Sequence, residues 1–205
     1  MELPFKQRWR QYLTTKTSGY IWRLIDDLAC KLTRFATYYE TSIGNEYAKE
    51  YARLNITEKK HILHIGCGSY PLTAIILAKN NDAHSIVGID NDTRAVTAAH
   101  TIITNKHLTD RIKIEHHTGQ EYPLKTYDMI IVSSCSWPKL DIVDHVLTHA
   151  KKNCIIILRE LNHISGPIDK RIRTNPNIKI MKQVEHHPFP FLGPFGWRSY
   201  YLIKT

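Results

Sequence analysis

Residues 61–90 read HILHIGCGSYPLTAIILAKNNDAHSIVGID, and this stretch decides the fold. Ile62 to Ile65 is a short apolar strand, and Gly66-Cys67-Gly68 turns the chain out of it. Pro71 then suits the first turn of a helix, where no backbone N–H is required. Ser85 to Ile89 forms a second strand that ends in Asp90. A strand, a glycine turn, a helix and a second strand with an acid at its tip make a nucleotide cradle. Gly66 and Gly68 let the backbone pass close to a ligand. The Asp90 carboxylate follows the glycines by about 20 residues, where it can accept both hydroxyls of a ribose.

A dinucleotide site uses G-x-G-x-x-G, whose third glycine lets the helix press against a pyrophosphate. That third place is Pro71 here, and Ser69, Tyr70, Pro71 and Leu72 fill the turn. A hydrophobic residue, then G-x-G, then a strand ending in Asp resembles the first motif and acidic partner of class I S-adenosylmethionine-dependent transferases. The resemblance implies S-adenosyl-L-methionine as co-substrate. Gly66, Cys67, Gly68, Tyr70, Asp90 and Asn91 would then form its site. An ordinary α/β turn that binds nothing is the alternative.

Composition agrees with an enzyme of modest size. The 205 residues suffice for one domain with a small addition, and 42% hydrophobic content suffices for a packed core. Cys30, Cys67, Cys135 and Cys154 form no C-x-x-C pair, which favours reduced thiols and a cytoplasmic protein over a disulfide scaffold or a zinc site. No window approaches the apolar length of a membrane span, and MELPFKQRWRQYL lacks the core of a signal peptide, so no membrane is expected. The formal charge of +9 suits an anionic partner such as nucleic acid. Yet the lysines and arginines are scattered, which favours a solvated basic surface. The expected partner is therefore a small-molecule amine or amino acid, with nucleic acid as the alternative.

Residues 1–16 read as a basic arm or surface helix. Ile21, Ile25, Leu28, Leu32 and Phe35 recur at three and four residues, which predicts an amphipathic helix from Ser18 to about Tyr38. Thr41 to Gly44 predicts a break, with Asn45 capping a second helix to about Leu54. These helices make a lid over residues 1–56, leaving 57–205 as the adenosylmethionine-binding domain. Beyond Asp90, Asp92 caps a helix that turns Ala95, Val96, Ala99 and Ile102 inward. Strands follow at Arg111–Glu115, Tyr127–Ser133 and Asn153–Leu158, the last two apolar enough to be buried on both faces. A helix at Asp141–Ala150 joins those two, and a short one near Ile168–Ile172 follows. Strands near Ile178–Val184 and Trp197–Ile203 complete the chain, the last inserting antiparallel. The fold class is α/β: a seven-stranded, mostly parallel Rossmann-like sheet of the class I methyltransferase type, with helices on both faces.

Ligands in such a sheet sit beyond the carboxyl ends of the strands. The third strand tip brings His117, Thr118 and Gly119, the fourth Ser133 to Trp137, and Arg159 and Glu160 follow the fifth. Thr118, Gly119 and Ser133 therefore join the cofactor-binding candidates, with Thr118 or Gln120 at the adenine end. The histidines give no metal site. His116-His117 and His186-His187 are adjacent and would point to opposite strand faces. His145 and His149 share a helix face but lack an H-E-x-x-H glutamate.

A narrower resemblance covers roughly residues 35–165. Gly66 to Ile75, G-C-G-S-Y-P-L-T-A-I, is similar to the nicotianamine synthase motif, which reads close to G-S-G-P-L-P-L-T-S-I. Phe35-Ala36-Thr37-Tyr38-Tyr39 and Glu46-Tyr47 resemble that family's Y-F-S-N-Y and E-Y elements. Tyr127-Asp128 and Leu158-Arg159 also fit its pattern. The resemblance implies transfer of the 3-amino-3-carboxypropyl group of adenosylmethionine to an amine, releasing methylthioadenosine. It implies Tyr39 as the active-site tyrosine, orienting the amine or relaying its proton. Arg159 is the second catalytic candidate, able to hold a carboxylate in a bidentate fork. The family's upstream glutamate has no aligned counterpart, since the region offers only Glu2, Asp26 and Asp27. A single transfer onto a small amine is the expectation. Methyl transfer to a small molecule, protein or RNA is the alternative.

Overall fold

A computed structural model describes residues 5–52, 54, 60–80, 85–161, 166–187 and 196–205, with backbone alone at 5–16 and 18. The chain opens with two helices, α1 (Phe5–Lys31) and α2 (Thr33–Ala52). The expected break at Thr41–Gly44 is absent and Asn45 is not a cap, because both lie inside α2. The chain turns at Leu32 instead. Gly44 is a point of close approach rather than a breaker: a Cβ there would stand 2.8 Å from Ile76 Cδ1. The lid boundary expected at 56 falls outside the described residues.

Among the described residues, seven strands form one sheet: β1 (His61–Ile65), β2 (Ser85–Asp90), β3 (Ile112–His116), β4 (Met129–Val132), β5 (Ile155–Leu161), β6 (Ile178–His186) and β7 (Trp197–Lys204). Their spatial order is β3-β2-β1-β4-β5-β7-β6. The first five are parallel, and β7 inserts antiparallel between β5 and β6. This is the Rossmann-like sheet expected. Its strand order reverses between β1 and β4, and the crevice at such a switch point is where ligands bind. Arg159 and Glu160 do not follow the fifth strand but lie within it, because β7 pairs them with Ser199 and Arg198.

The helices α3 (Leu72–Asn80) and α4 (Thr93–Asn105) share one face of the sheet with α1 and α2, while α5 (Lys139–His149) and α6 (Gly166–Thr174) cover the other. Strand alternation divides the core accordingly. Ile62, Ile131 and Ile157 face the first layer, and Leu63, Ile130 and Val132 the second. Ala29, Ala36, Tyr39, Ile43 and Tyr51 of the first two helices pack into the same cluster as those strand residues. Asp92 caps α4 by accepting from the Arg94 N–H, as expected, and Ile103 rather than Ile102 is the fully buried residue of its last turn. Among the described residues, no helix is long and apolar enough to cross a membrane.

Candidate active site

The register places four residues in a row across the strand tips. Ile65 pairs with Ile89 and with Val132, and Val132 with Leu158. One residue further along each strand come Gly66, Asp90, Ser133 and Arg159. At about 4.8 Å per strand the row spans about 14 Å from Asp90 to Arg159. A cavity of about 590 Å³ lies over it, lined by both ends of the row and by Tyr20, Trp22, Asp26 and Tyr39 of the lid. That volume is in the range of small-molecule sites.

The glycine turn is held as the cradle requires. Gly66 and Gly68 have φ of +77° and +71°, and a Cβ on them would meet Ser136 Oγ at 2.5 Å and Asp26 Oδ2 at 2.3 Å. Neither position accepts a side chain. The amides of Gly66 and Cys67 both donate to the Ile89 carbonyl, which fixes the turn against β2. Gly68 N–H donates to Asp90 Oδ2 at 2.9 Å and Asp92 N–H to Asp90 Oδ1 at 3.0 Å. Each Asp90 oxygen keeps a lone pair for a further donor. Tyr70, expected to touch the cofactor, lines the cavity and donates its hydroxyl to Glu40 Oε1 at 2.5 Å. Lys79 and Lys106 close on the same carboxylate and, with Tyr70, pull its pKa down to about 2 against the effect of burial.

The lid supplies an acid facing this turn. Tyr39 hydroxyl donates to Asp26 Oδ1 at 3.2 Å, and the Tyr39 and Tyr70 rings meet at 5.9 Å. Asp26 borders the cavity, and the protein around it removes enough water to push its pKa up to about 8. The Tyr39 hydroxyl opposes that rise, while Asp90 and Asp27 add to it. Burial and the Asp26 charge hold Tyr39 protonated, its pKa well above the usual phenol value.

At the other end of the row, Arg159 is buried and its fork is already filled. Glu50 Oε2 accepts from Nη2 at 2.6 Å and from Nε at 3.2 Å. Nη1 donates to Thr73 Oγ1 and Nη2 also to Tyr51, while the Tyr47 ring lies 3.8 Å from the guanidinium. The carboxylate in the Arg159 fork is thus one of the protein's own: a single Glu50 oxygen accepts from both Nε and Nη2. Lys139, buried, donates to the carbonyls of Ser133 and Arg159 and so ties the tips of β4 and β5 together. Burial holds its pKa down to about 8, with Glu160 opposing.

Gly66, Cys67, Gly68, Tyr70, Asp90, Asn91, Gly119 and Ser133 therefore border one cavity with Tyr39 and Arg159. Thr118 does not border it, although His117 and Gly119 on either side do. Among the cavity residues that the sequence did not point to are Asp26 as a site acid, His64 and Trp22. Asp26 carried a signal, since it sits beside Ile25 and three residues from Ala29 on the inward stripe of α1. An acid on an apolar stripe is unusual.

These residues suit adenosylmethionine. The positive-φ glycines keep the cradle open, and Asp90 borders it with both oxygens held by backbone amides. Asp90 and Asp92 around the cavity outweigh Arg23, which lies 3.5 Å from Asp92, while Arg159 is balanced by Glu50 and Asp26 adds a further negative charge once ionised. An acidic rim favours a cationic ligand.

A family model described as nicotianamine synthase protein matches residues 25–169. Among solved structures, a mutant of MtNAS superposes with a TM-score of 0.73 at 13% identity, over 98% of this chain and 78% of that one. MtNAS in complex with MTA and tNA gives 0.67 at 11% identity, over 95% and 74%. A mutant of MtNAS in complex with S-adenosylmethionine gives 0.66 at 12% identity, over 95% and 76%. These likenesses show the fold. Among curated proteins none matches. The family match takes in the lid tyrosine, the glycine turn, the acid of β2 and the tip of β5, and by it the chain belongs to the nicotianamine synthase family, adenosylmethionine-dependent transferases of Rossmann-like fold.

Proposed function

We propose that this chain moves the 3-amino-3-carboxypropyl group of adenosylmethionine to an amine of a small molecule, leaving methylthioadenosine. The observation that carries the proposal is the Asp26–Tyr39 pair facing the glycine turn. Adenosylmethionine, when bound, supplies a sulfonium with electrophilic carbons. Asp90, fixed by the Gly68 and Asp92 amides, holds its nucleoside end. Asp26, with a pKa near 8, is a stronger base than an ordinary carboxylate, and the best base titrates near the working pH. In ionised form it takes the proton that the acceptor amine loses as its nitrogen bonds to carbon. The carbon–sulfur electron pair leaves with the thioether, so charge balances. Tyr39 stays protonated and donates to Asp26, which orients the carboxylate and steadies its charge. Tyr70-Pro71-Leu72-Thr73 puts bulk and a rigid φ where simpler turns have small residues, and favours an arm displaced toward the lid.

Mass spectrometry of reactions with candidate amines tests this. Methylthioadenosine with an aminocarboxypropylated amine is the expected outcome. Adenosylhomocysteine as the sole thioether product would reassign the chain to methyl transfer.

A further inference from the structure

His64 sits on β1 where the sheet is otherwise aliphatic. Its partner across to β4 is Ile131, and Ile62 and Ile157 share its face. Only 2% of it is exposed. Its Nε2 bonds Ser133 Oγ at 2.8 Å, while Nδ1 is buried with no hydrogen-bond partner among the described residues. A buried ring nitrogen without a partner is costly in a core. This ring, however, borders the cavity two residues before Gly66, with Ser133, Thr73 and Arg159 beside it. It therefore lies under the inner half of the row, away from Asp90.

The chemistry of this inner half is polar and uncharged. Glu50 balances Arg159 and fills its fork. Burial and the neighbouring Arg159 hold His64 neutral, its pKa down to about 3. A neutral imidazole with one bonded nitrogen presents a single site to a ligand, and Ser133 can adjust by rotating its hydroxyl. A carboxylate placed here would find no uncommitted cation among the described residues bordering the cavity.

Resting on the amine-transfer reading, we infer that His64 and Ser133 form an acceptor subsite for an uncharged hydrogen-bonding group, such as a hydroxyl, amide or azole, carried on the amine that reacts. The pair would select among acceptors without taking part in bond making. The energetic logic is asymmetric: an apolar group leaves Nδ1 unsatisfied, and a carboxylate loses its hydration in a site with no uncommitted cation to offset the loss.

Three amines of similar length test this on the methylthioadenosine-loaded protein: 3-aminopropan-1-ol, n-butylamine and β-alanine. Loading is first measured by calorimetry, and NMR titration then reads amine affinity and the His64 ring signals. The hydroxyl-bearing amine should bind about tenfold tighter than butylamine, the worth of one buried hydrogen bond. It should also bind tighter than β-alanine and move the His64 signals. In His64→Leu the tenfold preference should vanish while methylthioadenosine affinity stays within threefold. Should His64→Leu fail to fold, Ser133→Ala serves, and it should narrow the same preference. A protein that takes no methylthioadenosine sinks both readings. One that takes it but shows equal affinities, prefers β-alanine, binds none of the amines, or keeps its preference in the variants overturns this inference alone.

Discussion

Glu50 Oε2 lies 2.6 Å from Arg159 Nη2, so a carboxylate of α2 closes the guanidinium fork of β5 inside the protein. Ser199 donates to the other Glu50 oxygen, and His186 Nε2 stands 3.5 Å from it. One buried acid thereby ties the lid to β5, β6 and β7. Removing one partner of such a pair leaves the other charged and unpaired. Glu50→Ala is expected to cost about 3–5 kcal/mol of stability. Urea denaturation of both proteins checks this, and a midpoint that does not move would show that Arg159 is not held by Glu50.

Asp26 is expected to link cofactor binding to pH. Its folded pKa of about 8 is above the ordinary 3.8, so between those values the native state holds a proton that the unfolded chain has lost. Stability from this group therefore falls as pH rises through that window. Asp26→Asn should flatten the fall. A bound sulfonium favours the carboxylate, so adenosylmethionine should release protons when it binds at pH 7. Calorimetry in buffers of different ionisation enthalpy counts them, and a count unchanged in Asp26→Asn would contradict the assignment.

Asp90 is expected to carry much of the nucleoside affinity. Its carboxylate is pre-aimed by the amides of Gly68 and Asp92. Asp90→Ala loses hydrogen bonds to a charged group, each about 1.5–3 kcal/mol, and should weaken adenosylmethionine by at least about tenfold. Titration calorimetry reads the change. Wild-type affinity in the variant would place the ribose elsewhere.

Tyr39 should matter more for turnover than for binding. Tyr39→Phe keeps the ring packed against Tyr70 and Phe35 but deletes the hydroxyl that donates to Asp26. We expect kcat to fall about tenfold or more, with cofactor Kd within threefold. The acid limb of the pH profile should also shift upward, since that hydroxyl lowers the Asp26 pKa. Loss of kcat with an unmoved limb would make Tyr39 a packing residue.

Much of this was legible in residues 61–90. Two glycines, a proline at a helix start and an acid at a strand end are local devices, each answering to backbone conformation or to one bond. The buried runs MIIV and IIIL were legible for the same reason, since strands covered on both faces leave an unbroken apolar mark. Gly44 misled because a glycine inside a helix reads as a break until the helix it touches is known. Arg159 and Glu160 hid the end of β5, whose continuation depends on β7, some forty residues away.

The sequence by itself determined the sheet, the cradle and the family, because these rest on periodicity and on short motifs within one stretch of chain. Only the tertiary structure decided what each charged or polar group faces. Arg159 looks free for a ligand until Glu50 arrives from 109 residues away, and Asp26 looks like a surface acid until α1 lays it over Gly68. His64 looks like part of an apolar strand until the cavity opens beside it. Partner and solvation set the charge of a buried group, and both are properties of packing between distant segments.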